Sequence, residues 1–213
     1  MVATFKTGIG IISPEMEVAE LFCIFPLNMT NFALHLPINL RDRCCVHMAI
    51  EVRNGKWQGS VGGIVCVPID KVWTLVSQTK RLPEWMPMVE RCSSLAGDDD
   101  EPGYVRLVSG FMFPQQDGER SWIKERLVSL DSSSHSYVYR MEASNVGLDG
   151  SVNSLKLVDY GDESTLIRWS FEINPLEDVS EDTIVDYLGF LYKSCINKIE
   201  GAIEAASRNV SPP

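Results

Sequence analysis

The stretch Ser121–Leu130 (SWIKERLVSL) places a carboxylate where none is expected. Successive side chains of a strand point to opposite faces. Trp122, Lys124, Arg126 and Val128 therefore share one face, and Ile123, Glu125 and Leu127 the other. Lysine and arginine belong in water, so the second face is the inner one, and Glu125 sits there between two aliphatic side chains. The same alternation turns Tyr137, Tyr139 and Met141 inward in the next strand and Arg140 outward. Tyr104, Arg106 and Val108 form a third inward set. Carboxylates out of water are costly unless paired; desolvation raises their pKa in general, and a nearby arginine opposes that rise. A group so placed can exchange a proton with a bound ligand. Two other readings fit the same residues: a buried Glu–Arg pair that only fixes register, or an irregular strand that leaves Glu125 in solvent.

Strand register decides which of these groups meet. A three-residue loop, Ser132–Ser134, pairs Asp131 with His135 and so sets Leu127 opposite Tyr139 and Glu125 opposite Met141. Tyr139 is then a diagonal neighbour of Glu125, at about 7–8 Å. Arg106 is less well placed. A tight two-residue turn at Asp117-Gly118 sets it four residues off Glu125, about 13 Å along the strand at about 3.4 Å per residue. Only a looser turn or a bulge near Pro114 brings the two together.

The elements that carry these residues follow from periodicity. Residues 57–67 read as a strand loosened for a bend or bulge by Gly59, Gly62 and Gly63. Ile69, Val72, Trp73 and Val76 fall at helical spacing, and Leu82–Pro87 supplies at most one further turn. Strands follow near 88–96, 103–113, 120–130, 136–144, 151–159 and 164–173, separated by turn signals. The last segment, Glu181–Ala206, is an amphipathic helix with Ile184, Leu188, Leu191, Cys195, Ile199 and Ile203 on one stripe and Ser180 as N-cap. A helix of that length spans about 39 Å, enough to cross a whole sheet. The expected architecture is α+β: a curved seven-stranded antiparallel sheet around a long C-terminal helix, with two short helices and an internal cavity. That domain occupies residues 55–207. Residues 1–54 read as an irregular or disordered N-terminal extension, with Met48 standing where an ordinary initiator would, and 208–213 as a tail.

Composition narrows the function. With 213 residues and 45% hydrophobic content the chain suits one domain with its own core. A net charge of -10 disfavours nucleic acid and anionic membrane surfaces as partners. The six cysteines (Cys23, Cys44, Cys45, Cys66, Cys92, Cys195) have neither a disulfide-framework nor a zinc spacing, and His35, His47 and His135 form no ligand cluster. No apolar run is long enough to span a membrane. The expectation is a cytoplasmic protein with no metal, no cofactor and a small hydrophobic ligand as partner. Trp169 lies between Ile167 and Phe171 on one face and reads as core or cavity lining.

Several segments together resemble a known family. Lys56-Trp57-Gln58-Gly59, Asp70-Lys71-Val72-Trp73, Tyr104-Val105-Arg106 with Ser109-Gly110, Trp122 with Lys124-Glu125, and Trp169-Ser170-Phe171 are similar to the lachrymatory-factor synthases and their plant relatives, over about Lys56 to Ile203. The resemblance implies the helix-grip fold shared by START-related proteins, polyketide cyclases, birch-type pollen allergens and abscisic-acid receptors. It also implies a cofactor-free isomerase or lyase that converts an alkenyl sulfenic acid to a thial S-oxide in an apolar pocket. By that resemblance Glu125 moves the proton, Arg106 supports the oxygen charge and Tyr139 positions the substrate. The family's second tyrosine falls on Ser151, whose hydroxyl is too short to replace a phenol. Ser151, Phe111, Ile123, Leu127, Trp169 and Phe171 are the expected pocket lining. The alternative is a non-catalytic carrier or sensor of a hydrophobic metabolite. An abscisic-acid receptor is disfavoured: Glu90 stands where those proteins carry their anchoring lysine, and Ser109–Pro114 replaces their gate sequence.

Overall fold

The computed structural model describes residues 48–53, 55–115, 118–177 and 179–210; residues 1–47, read as an extension, lie outside it. Eight antiparallel strands form one sheet: β1 (Met48–Arg53), β2 (Lys56–Val65), β3 (Val89–Ala96), β4 (Val105–Gly110), β5 (Ser121–Asp131), β6 (Ser136–Ser144), β7 (Val152–Gly161) and β8 (Ser164–Ile173). Their order across the sheet is β1-β2-β8-β7-β6-β5-β4-β3. Between β2 and β3 lie two short helices, α1 (Ile69–Val76) and α2 (Leu82–Trp85), and the long helix α3 (Glu181–Val210) closes the chain. This is the helix-grip architecture the residue pattern predicts. No described helix is long and apolar enough to cross a membrane.

The expected seven strands are all present, and β1 adds an eighth at the edge beside β2. It falls inside the stretch 1–54. Its signal is in the sequence: Met48, Ile50 and Val52 alternate with Ala49, Glu51 and Arg53. Asn54-Gly55, a strong two-residue hairpin signal, follows, and Arg53 pairs with Lys56 across it.

The alternating positions of β2 and β4 to β8 supply the concave face, with Val61, Val108, Leu127, Leu155, Ile167 and Ile173 all buried. Helix α3 lies across it, burying Ile184, Leu188, Leu191, Cys195 and Ile199 of the expected stripe, with Val185, Tyr192 and Ile196 beside them. Ser180 caps it as expected: its Oγ accepts the Thr183 N–H at 3.2 Å. The β2 glycines do not bulge the strand, because β2 pairs with β8 without a register shift. They allow close approach instead. A Cβ on Gly63 would lie 2.8 Å from Cγ2 of Ile196 on α3, and one on Gly59 only 2.4 Å from the Phe171 ring.

Candidate functional site

Arg106 and Glu125 stand directly opposite each other on β4 and β5, not four residues apart. The pairing is that of the looser connection rather than of a tight turn at Asp117-Gly118, of which Asp117 lies outside the described residues. Gly110 pairs with Ser121, and positions 111–120 form one long connection. Ser121 Oγ holds its base, donating to Gly110 O at 3.0 Å and accepting the Phe113 N–H at 3.1 Å. Arg106 Nε donates to Glu125 Oε2 at 2.7 Å, and Nη2 stands in ion-pair contact 2.7 Å from the same oxygen, with both side chains 7% exposed. Such charge-assisted bonds are the strong kind. Oε1 of Glu125 accepts no hydrogen bond among the described residues.

On its other face the guanidinium stacks on the Tyr139 ring, 3.7 Å from the centroid. Tyr139 in turn meets Tyr137 edge-on at 5.6 Å. Burial works against the charged form of Arg106, but Glu125, with Tyr139, Cys92 and Tyr137 behind it, outweighs burial and holds the guanidinium charged well above its usual range. Burial drives the Tyr137 and Tyr139 phenols up, against the pull of Arg106, so both are neutral in ordinary buffers.

The expected β5–β6 contacts are present: Glu125 faces Met141 and Leu127 faces Tyr139. The turn differs. Asp131 pairs with Ser136, so the loop has one residue more than expected, and a bulge at Val128 removes the offset.

Beside the ion pair lies a cavity of about 490 Å³, counting its open mouth. The sheet contributes Arg106, Val108, Ile123, Glu125 and Met141, with Tyr137, Asn153 and Trp169 beyond them. Leu82 and Met86 of α2, Met112 and Phe113 of the long connection, and Leu188, Leu191 and Tyr192 of α3 complete the wall. Trp169 and Tyr192 stack face to face at 4.3 Å. Tyr187 donates its hydroxyl to Met112 O, tying the long connection to α3.

Of the expected lining, Ile123 and Trp169 are in this wall; Leu127, Phe171, Phe111 and Ser151 are not. Leu127 is fully buried opposite its cross-strand partner Tyr139. Phe171 fills the space above Gly59 and meets Tyr192 edge-on at 5.7 Å. Phe111 leaves the sheet, its ring meeting the exposed Arg120 at 5.4 Å. Ser151 is buried just before β7, and its Oγ finds no hydrogen-bond partner among the described residues. Tyr139 is also outside the wall, beneath Arg106. Sequence reasoning missed Asn153. It is the polar residue on the inward face of β7, in line with Leu155 and Leu157, so the alternation that found Glu125 would have found it.

Residues 64–204 match the family model described as polyketide cyclase / dehydrase and lipid transport, from the end of β2 to near the end of α3. The chain belongs to the polyketide cyclase/dehydrase and lipid transport family. Three solved structures share the family fold. An uncharacterised protein from Bacillus thuringiensis is 18% identical, with a TM-score of 0.56 over 68% of this chain and 98% of its own. The protein XoxI from Bacillus cereus is 18% identical, with a TM-score of 0.57 over 70% and 97%. Ara h 8.0201 is 19% identical, with a TM-score of 0.56 over 71% and 99%. Membership points to binding of a small hydrophobic ligand.

Proposed function

We propose that this domain is a lachrymatory-factor synthase-like, cofactor-free isomerase or lyase that moves one proton within a small apolar substrate such as an alkenyl sulfenic acid. The observation that carries this reading is the asymmetry of Glu125. Arg106 engages one oxygen twice, and the other oxygen, in a residue of the cavity wall, accepts no hydrogen bond among the described residues. In the proposed step Oε1 takes the proton of the sulfenic O–H. The oxygen electrons form the S–O double bond, a C=S bond replaces the C=C bond, and the alkenyl carbon remote from sulfur receives the proton back. Glu125 ends as it began. Arg106 supports negative charge on the substrate oxygen, and Tyr139, stacked beneath it, positions the guanidinium. The wall around Glu125 is largely apolar, which limits how many waters compete for the proton.

The test is turnover of an alkenyl sulfenic acid released in situ from its cysteine sulfoxide precursor. Glu125→Gln is expected to lower the rate by roughly 100-fold or more while circular dichroism stays unchanged. Equal rates for both proteins overturn the proposal. The second reading, a carrier of a hydrophobic metabolite, is favoured by the family's link to lipid transport. On that reading wild type shows no turnover, and Glu125→Gln changes ligand affinity only modestly.

A further inference from the structure

Three oxygen-bearing side chains in the cavity wall are unused by the proton transfer: Asn153 of β7, Tyr137 of β6 and Tyr192 of α3. The Trp169 indole N–H of the same wall has no partner among the described residues. Asn153 is 5% exposed, and Tyr137 and Tyr192 are 4% each. None of them is hydrogen-bonded by the described residues. Buried amides and hydroxyls ordinarily have partners, because an unpaired one is destabilising. Three such groups around one hollow mark a place where something else supplies the partner.

The cavity's charge decides what kind of group that is. Arg106 and Glu125 cancel, and burial keeps the phenols of Tyr137 and Tyr192 neutral. Neither an anion nor a cation entering the hollow would meet an unpaired counter-charge, and it would still lose its hydration. The hydrogens of the unused groups outnumber their oxygens: two amide N–H, two phenolic O–H and the Trp169 indole N–H, against one amide and two phenolic oxygens. They suit an acceptor.

We infer that Asn153, with the phenols of Tyr137 and Tyr192, selects an uncharged ligand through a carbonyl-type or sulfoxide-type oxygen, and that Asn153 is a specificity-determining residue of this site. The inference rests on the reading of this cavity as the ligand site and deepens it. Asn153 pairs across the sheet with Tyr139 of β6, on whose ring Arg106 stacks, so it stands on the far side of β6 from Glu125 and faces the same hollow. The selected oxygen is held by Asn153 while the transferable proton lies toward Glu125.

The test compares three seven-carbon probes, 2-heptanone, 1-heptene and heptanoate, by quenching of tryptophan fluorescence and by calorimetry on the full chain. Wild type is expected to bind the ketone at least tenfold more tightly than either of the others. Asn153→Leu, close to isosteric, is expected to weaken the ketone about tenfold and leave 1-heptene within twofold. Equal binding of ketone and alkene by wild type overturns the inference without any variant, and so does a preference for heptanoate. An equal loss of both neutral probes in Asn153→Leu assigns the residue to structure alone and also overturns it. None of these readouts needs turnover. Selectivity without catalysis sinks only the proposed reaction; catalysis without selectivity sinks only this inference.

Discussion

Arg106 directs both Nε and Nη2 to the same oxygen of Glu125, 2.7 Å from each, with both side chains almost wholly buried. The pair is held by backbone as well as by charge, since the two residues are direct cross-strand partners. One carboxylate oxygen is thereby immobilised and the other left to the cavity.

Removing one partner should cost far more than removing both. Arg106→Met or Glu125→Leu alone leaves a buried charge uncompensated, and each is expected to lower stability by about 3–5 kcal/mol. The double variant should recover most of that loss, because its side chains suit the apolar surroundings. Urea denaturation of the four proteins measures the coupling; strictly additive losses would refute it.

Tyr139 is expected to matter through its ring rather than its hydroxyl. Tyr139→Phe keeps the face on which the guanidinium rests and should change stability by less than about 0.5 kcal/mol. Tyr139→Leu removes a desolvated cation–π contact and should cost about 2 kcal/mol. Thermal denaturation separates them, and equal losses would point to the hydroxyl.

Two glycines should respond in opposite directions. A Cβ on Gly110 would lie 2.2 Å from Met88 O and 2.8 Å from Glu90 N, backbone atoms that cannot swing aside. Gly110→Ala is expected to destabilise by about 1–3 kcal/mol or more and to weaken ligand binding, since Met112 and Phe113 follow it into the cavity wall. Gly201 in α3 has nothing within 4 Å of its virtual Cβ. Gly201→Ala should stabilise by up to about 1 kcal/mol. Matched denaturation curves check both signs.

The β5–β6 turn should be acid-sensitive. Asp131 accepts hydrogen bonds from the hydroxyls of Ser133 and Ser134 and from their backbone N–H groups, which lower its pKa to about 2. A carboxylate lowered in the folded state stabilises it above the ordinary carboxylate value of 3.8. That contribution is lost as pH falls from there toward 2. Carbon-detected NMR titration of Asp131 should give a midpoint near the lower value, and Asp131→Ala should flatten the pH dependence in that window. A midpoint near the ordinary value would disprove the capping role.

Alternation told the inner face from the outer wherever a strand was regular. Glu125, Tyr137, Tyr139 and Met141 are buried for the reason their neighbours Lys124 and Arg140 suggest. The contact of Leu127 with Tyr139 came out as expected through two errors that cancel, a longer turn and an unforeseen bulge. Asn153 and the β1 hairpin were readable by the rules already applied to Glu125 and to the other turns.

What the sequence determines here is local. Side chains in a strand repeat every two residues and in a helix every 3.6, so the chain itself states which groups avoid water and that a long amphipathic helix ends it. The meeting of Arg106 with Glu125 depends on how positions 111–120 close, and a connection of that length has no preferred register written in its residues. Only the folded sheet, pinned at Gly110 and Ser121 and crossed by α3, brings that arginine onto one oxygen and leaves its twin to the hollow. Strand faces follow from backbone geometry; registers across long loops follow from the free energy of the whole packed domain.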